Sequence, residues 1–173
     1  MKNYAPIFLV GFMGAGKTTV GRALAQQLNY GFSDLDELIE ERAGISIERI
    51  FSESGEAEFR RLETEAIQGC REYRRTVIAL GGGAYVSDRN RDLIREIGRT
   101  VWLDCPLDIC LARIQGDKSR PLLRTEQEMR ALLERRLPAY ALADFAVKTG
   151  DHSPDEIAFE IIGLLSEQEG AAC

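Results

Sequence analysis

A glycine-rich loop at residues 11–19 directly follows a short apolar run, Ile7 to Val10. The loop reads GFMGAGKTT, and its glycines let the backbone curl so that successive N–H groups face phosphate oxygens. Lys17 adds a positive charge, Thr18 offers a hydroxyl to Mg²⁺, and the helical pattern that follows would add its dipole to the same anion. Nucleotide binding is therefore the first hypothesis, and the alternative is a glycine-rich turn that contains Lys-Thr by chance.

The chain length and composition fit a single domain. The chain has 173 residues, of which 45% are apolar and 29% charged, and none of its apolar runs is long enough to cross a bilayer. The first apolar run is too short for the hydrophobic region of a secretory signal, so we expect a cytoplasmic protein with no membrane partner. A formal net charge of −6 disfavours nucleic-acid binding.

Cysteine and histidine usage gives no sign of a metal site. The four cysteines form no C-x-x-C pair, and the only histidine, His152, lies in a polar stretch. This pattern indicates free thiols and argues against a zinc site, a disulfide framework or a His-based nucleophilic triad. We expect the histidine in a loop.

Short apolar runs alternate with longer helical patterns along the chain. The apolar runs are at residues 7–10, 32–34, 77–80, 101–104 and 145–147. The helical patterns cover approximately residues 17–28, 35–42, 46–53, 57–73, 89–97, 107–114, 127–141 and 154–167. This alternation is typical of a parallel sheet covered by helices on both faces.

A polar loop at residues 115–125 fits neither a helix nor a strand. It contains Lys118, Arg120 and Arg124 together with glycine and proline. Loops of this length inside a compact domain are usually functional or disordered, and in a phosphate-handling protein the first suggestion is a mobile lid.

Two carboxylates, Asp34 and Asp36, follow the second apolar run. In an extended backbone their spacing places them on the same side, near the carboxyl edge of the sheet where open α/β proteins bind ligands. Phosphoryl transfer needs one acid to help hold Mg²⁺ and another to orient the attacking hydroxyl. The alternative is that Asp34 only caps the helix that follows.

Three consecutive glycines, Gly81 to Gly83, follow the third apolar run. Such a run loses much conformational entropy on folding, so it is expected where the backbone approaches something closely. Its N–H groups would face the site at the carboxyl end of a strand. A tight turn into the next helix is the alternative.

Arginines recur in pairs on segments that flank this edge: Arg60 with Arg61, Arg120 with Arg124, and Arg135 with Arg136. In an acidic protein, such arginines are candidates for bidentate recognition of a carboxylate or a phosphate. Spacing alone leaves open which member of each pair points inward.

Taken together, these motifs resemble the shikimate kinase family over about residues 7–165. The resemblance rests on the phosphate loop, Asp34-x-Asp36, Phe59-Arg60-Arg61-x-Glu63, the three glycines, Arg120-Pro121-Leu122-Leu123 and Arg136-x-Pro138-x-Tyr140. It implies a P-loop NTPase of the nucleoside-monophosphate-kinase type, in which residues 1–173 form one α/β domain of three layers. The implied sheet is parallel and five-stranded in the order 2-3-1-4-5. A substrate-binding segment at about residues 35–62, a lid at about 115–125 and a monomeric state are further expectations.

The implied activity is transfer of the γ-phosphoryl group of ATP to the 3-hydroxyl of shikimate, with Mg²⁺ as the metal. The resemblance assigns nucleotide contacts to Gly14, Ala15, Gly16, Lys17, Thr18, Thr19, Arg113 and Arg120, and the metal to Thr18 and Asp34. It assigns shikimate contacts to Asp36, Arg60, Gly82, Gly83 and Arg136. Lys17 at the β- and γ-phosphates, Asp36 at the accepting hydroxyl and Arg120 on the moving phosphoryl group would be the catalytic residues.

Two other functions stay open on the sequence. One is another small-metabolite kinase of the same superfamily, such as a gluconate kinase, although the Phe-Arg-Arg and triple-glycine motifs speak against it. The other is a non-catalytic nucleotide-binding module, which would bind nucleotide without acceptor-dependent turnover. Leu35, between the two aspartates, and Tyr85, after the glycines, depart from the usual family pattern and leave the fine substrate preference open.

Overall fold

The structure, a computed structural model, describes residues 5–116 and 125–171. Most of the predicted lid at about 115–125, including Arg120, lies outside the described residues. Among the helices within the described ranges, none is long and apolar enough to span a membrane.

The described chain forms a five-stranded parallel sheet. The strands are β1 (Ile7–Val10), β2 (Gly31–Asp34), β3 (Thr76–Ala79), β4 (Arg99–Asp104) and β5 (Phe145–Lys148). Their order is β2-β3-β1-β4-β5, and every neighbouring pair is parallel. This confirms the predicted sheet order.

Seven α-helices surround the sheet within the described ranges, together with two short 3₁₀ turns at Cys70–Glu72 and Ala84–Val86. The α-helices are α1 (Lys17–Leu28), α2 (Leu35–Ala43), α3 (Ile47–Gly69), α4 (Asp88–Ile97), α5 (Leu107–Gly116), α6 (Glu126–Tyr140) and α7 (Pro154–Ala171). Side chains cap several of them: Ser46 begins α3, and Thr125 with Glu128 forms a capping box at α6. These caps supply acceptors for backbone N–H groups that would otherwise stay unpaired.

The prediction of two helices at about 46–53 and 57–73 is confirmed. The segment α3 consists of two helical stretches that meet at a kink at Gly55, whose φ of 81° and ψ of 177° are not helical. Glycine adopts this conformation without a Cβ penalty. The rings of Phe51 and Phe59 pack across the kink with centroids 4.7 Å apart. The predicted end at residue 73 was too late, because α3 ends at Gly69 and a short 3₁₀ turn at Cys70–Glu72 follows it.

The core lies against the central strands. All four residues of β1 are at most 5% exposed, and β3 is likewise buried, whereas the edge strands β2 and β5 are partly exposed. A parallel strand that is covered on both faces has an uninterrupted apolar sequence. This is why β1 and β3 could be predicted. Of the cysteines within the described ranges, Cys70, Cys105 and Cys110 are free, as predicted, and all three are buried.

Candidate active site

The candidate site lies at one edge of the sheet, where three neighbouring strands end. The phosphate loop follows β1, Asp34 is the last residue of β2, and the three glycines come shortly after β3. Because these strands are adjacent and parallel, their carboxyl ends open onto the same crevice. The topology therefore brings together segments that are far apart in the chain.

The phosphate loop has the backbone that its glycines predict. Gly14 and Gly16 have φ values of 77° and 92°, in the left-handed region that disfavours residues with a Cβ. A Cβ at Gly14 would also lie 2.6 Å from the carbonyl oxygen of Cys110 in α5. The loop runs through the buried Ala15 into Lys17 to Thr19, the first turn of α1.

Lys17 folds back over this loop and is close to both predicted aspartates. Its Nζ donates hydrogen bonds to the carbonyl oxygens of Gly11 and Phe12, each at 2.9 Å. Burial lowers the pKa of Lys17 to about 8, although the nearby charges of Asp36 and Asp34 act in the opposite direction. A bound phosphate would favour the charged lysine further.

Asp34 connects the phosphate loop to helix α2. One carboxylate oxygen accepts a hydrogen bond from the backbone N–H of Asp36 at 3.0 Å, and the other accepts from the hydroxyl of Thr18 at 3.1 Å. Asp34 therefore caps α2, as the alternative interpretation predicts, and at the same time contacts the phosphate loop. A hydroxyl beside a carboxylate suits Mg²⁺, which is usually bound by one or two carboxylates together with substrate phosphates.

The triple-glycine run is the meeting point of the predicted shikimate contacts. A Cβ at Gly81 would lie 2.9 Å from Oδ1 of Asp36, and one at Gly82 would lie 3.0 Å from a terminal nitrogen of Arg136. At Gly83 a Cβ would lie 3.0 Å from Arg60 and 3.4 Å from Arg136. The glycines thus let two guanidinium groups and a carboxylate approach the backbone closely.

The structure also distinguishes the members of two arginine pairs. Arg61 is 53% exposed and forms ion pairs with Glu58 and with Glu65 on the outside of α3. Arg135 is exposed too and donates to the backbone of its own helix. Arg60 and Arg136 are the members that reach the glycines.

Glu63 is a site residue that the sequence reasoning named only as part of a motif. Its side chain is 1% exposed, and it accepts hydrogen bonds from Arg60 at 3.0 and 3.1 Å. Burial raises the pKa of Glu63, an effect that Arg60 opposes and that Asp36 reinforces. An acid three residues after an arginine on a helix was the available signal. Glu63 holds the Arg60 guanidinium toward the crevice.

At the other end of the loop, Arg113 of α5 lies against the phosphate loop. Its Nη1 donates to the carbonyl oxygen of Gly14 at 3.3 Å and contacts Sγ of Cys105 at 3.7 Å. These contacts place a planar cation beside Gly14 of the phosphate loop. Arg120, the remaining predicted catalytic residue, lies outside the described residues.

Known proteins resemble this chain over almost its whole length. A family model described as shikimate kinase matches residues 13–166. A shikimate kinase of Geobacter sulfurreducens is 47% identical over 166 residues, covering 94% of this chain and 92% of that relative. A shikimate kinase of Persephonella marina is 42% identical, covering 92% of this chain and 98% of the relative.

Solved structures give the same picture. A shikimate kinase from Acinetobacter baumannii in complex with shikimate has a TM-score of 0.89 and 38% identity, and the match covers 96% of each chain. A gluconokinase from Sinorhizobium meliloti has a TM-score of 0.65 and 20% identity, covering 95% of this chain and 93% of that one. At that identity the second likeness is one of fold alone.

Proposed function

Because the chain belongs to the shikimate kinase family, whose members are ATP-dependent kinases, we propose that its crevice transfers the γ-phosphoryl group of ATP to the 3-hydroxyl of shikimate. The products are ADP and shikimate 3-phosphate. One observation carries the assignment of roles: the guanidinium groups of Arg60 and Arg136 and the carboxylate of Asp36 all lie against the glycines, beside the phosphate-loop lysine.

The phosphate loop supports binding of the triphosphate. Backbone N–H groups of residues 14–19 and the ammonium of Lys17 would hold the phosphates, and Arg113 would stack on the adenine. Thr18 and Asp34 are the residues that would hold Mg²⁺, which when bound neutralises charge on the β- and γ-phosphates. Arg120, by family resemblance, would neutralise the moving phosphoryl group.

The part of the crevice at Gly81 to Gly83 supports binding of the acceptor, shikimate. Arg60 and Arg136 present two planar cations to one small region, a geometry suited to bidentate contacts with the carboxylate of shikimate. The N–H groups of Gly82 and Gly83 would add two neutral donors. Gripping this end fixes the ring, so that its hydroxyl lies in line with the γ-phosphoryl group.

Asp36 lies between the two ends of the crevice. It is close enough to Lys17 to act on its pKa, and its Oδ1 approaches Gly81. In this position it would accept a hydrogen bond from the attacking hydroxyl and direct the oxygen lone pair toward phosphorus. In line with the family resemblance, we also propose that the protein acts as a monomer.

The direct test is ADP release by purified protein with Mg²⁺ and ATP, measured alone, with shikimate and with gluconate. We expect turnover that depends on shikimate and is much slower with gluconate. Preferential turnover with gluconate would favour the related sugar-acid kinases. Nucleotide binding without turnover on either acceptor would favour a non-catalytic module.

A further inference from the structure

Tyr140, the last residue of α6, makes a buried contact with the glycine run. Its hydroxyl donates a hydrogen bond to the carbonyl oxygen of Gly82 at 2.5 Å, and the residue has no solvent exposure. Trp102 of β4 packs beside the phenol ring with centroids 6.2 Å apart. Burial raises the pKa of Tyr140, although Arg136 opposes this, so the hydroxyl stays protonated and able to donate at neutral pH.

Gly82 and Gly83 are the two central residues of a tight turn. The N–H of Ala84 donates to the carbonyl oxygen of Gly81 at 3.0 Å, which closes the turn, and Gly83 has φ −100° and ψ −15°. These angles match the third position of a type I turn. A glycine at that position also permits a type II turn, in which its φ is positive.

The two turn types differ by a rotation of the peptide unit between the central residues. In a trans peptide the C=O of one residue and the N–H of the next point in opposite directions. A hydroxyl that holds the Gly82 carbonyl therefore also fixes the direction of the Gly83 N–H, away from Tyr140. In the flipped turn these directions are exchanged. The carbonyl oxygen of Gly82 would then face the side that the N–H of Gly83 faces now.

Within the described part of the chain, the amides of Gly82 and Gly83 donate no hydrogen bond, while Arg60 and Arg136 approach the same two residues. A carboxylate held by these arginines would gain from an N–H and would be repelled by a carbonyl oxygen. The orientation of a single peptide unit thus decides whether the backbone helps or hinders binding.

We propose that Tyr140 is a positioning residue for the acceptor: its hydroxyl locks the Gly82–Gly83 peptide in the orientation that offers the Gly83 N–H to the shikimate carboxylate. This inference rests on the proposed function. A glycine pair has no side chain of its own to set the turn type, so the restraint comes from the neighbouring helix. Arg136 is one helical turn before Tyr140, so α6 supplies both the cation and the lock.

Tyr140→Phe tests this directly, because it removes the hydroxyl and keeps the ring. Loss of one neutral hydrogen bond changes the ratio of the two turn states by about fivefold, so the Kd for shikimate should rise up to about fivefold in calorimetric titrations. The Kd for ADP should stay unchanged. The analogue of shikimate that lacks the carboxyl group altogether, and so has no acceptor for the Gly83 N–H, should bind both proteins equally.

Tyr85→Phe is the matched control. Tyr85 is also buried, and its hydroxyl donates to a backbone carbonyl, that of Leu142, at 3.2 Å. Both substitutions should lower thermal stability, and only Tyr140→Phe should weaken shikimate binding. Equal losses for shikimate and ADP, unchanged shikimate binding, or the same loss in the Tyr85→Phe protein would overturn the proposal.

Two further results separate this inference from the proposed function. A wild-type protein that does not bind shikimate at all would overturn the proposed function and this inference with it. If Tyr140→Phe does not fold, the amide resonance of Gly83 in the wild-type NMR spectrum decides. It should shift on addition of shikimate and much less on addition of the analogue that lacks the carboxyl group, and an unmoved resonance would overturn the proposal.

Discussion

Replacing Gly83 with alanine should weaken the binding of shikimate without lowering the stability of the fold. The φ of −100° at Gly83 is accessible to alanine, so Gly83→Ala introduces no backbone strain. Replacing a glycine at a compatible position stabilises by about 0.4–1 kcal/mol through the unfolded chain. The new Cβ, however, would lie 3.0 and 3.1 Å from the two terminal nitrogens of Arg60.

The methyl group would push the Arg60 guanidinium away from the turn by a few tenths of an ångström. The Arg60 side chain is 39% exposed and can move, but its ion pair with the buried Glu63 opposes the displacement from the position in which it meets a carboxylate. Hydrogen bonds to charged groups contribute roughly 1.5–3 kcal/mol. Weakening one such bond corresponds to a rise in the KM for shikimate of up to roughly 10-fold. The KM for ATP should stay within about twofold of the wild-type value.

Initial rates of ADP release, with each substrate varied in turn, measure both constants, and thermal unfolding measures stability. Gly163→Ala is the matched control, because Gly163 is an exposed residue of α7 and no atom lies within 4 Å of its added Cβ. It should leave both KM values unchanged. A Gly83→Ala protein with wild-type affinity for shikimate would refute the placement of the carboxylate at this turn.

Three other predictions concern the charged groups. With the pKa of Lys17 near 8, rising pH removes its charge, so kcat/KM for ATP should fall as pH rises through about 8; a flat profile would contradict this. Asp36→Asn should lower kcat strongly in steady-state assays, because the amide is a poor acceptor for the hydroxyl proton; an unchanged kcat would remove its role in transfer. Arg136→Ala should raise the KM for shikimate more than that for ATP, whereas exposed Arg135→Ala should change neither; equal rises in Arg136→Ala would exclude its carboxylate role.

Features whose conformation depends on their own residues could be predicted from the sequence. The phosphate loop needs its glycines at fixed positions, and all three of them have positive φ values, so the loop could be identified in the sequence. The strands could be placed because β1 and β3 are buried on both faces and are therefore continuously apolar. The strand order came from the family resemblance, and the structure confirms it.

Other features depend on tertiary contacts that spacing does not encode. The two helical stretches on either side of Gly55 were predicted, but the packing of Phe51 on Phe59 across the kink was not. The choice between Arg60 and Arg61 depends on which helix face meets the glycines, and periodicity alone left it open. The contact from Tyr140 to Gly82 joins residues 58 positions apart, and no local pattern predicts it. The roles of these groups in binding remain predictions.

The most direct measurement is a crystal structure of the protein with shikimate and ADP. The shikimate carboxylate should lie between Arg60 and Arg136, with its oxygens about 2.7–2.9 Å from their terminal nitrogens, and the ring hydroxyl should point to Asp36. A bound shikimate whose carboxylate touches neither guanidinium would contradict the account.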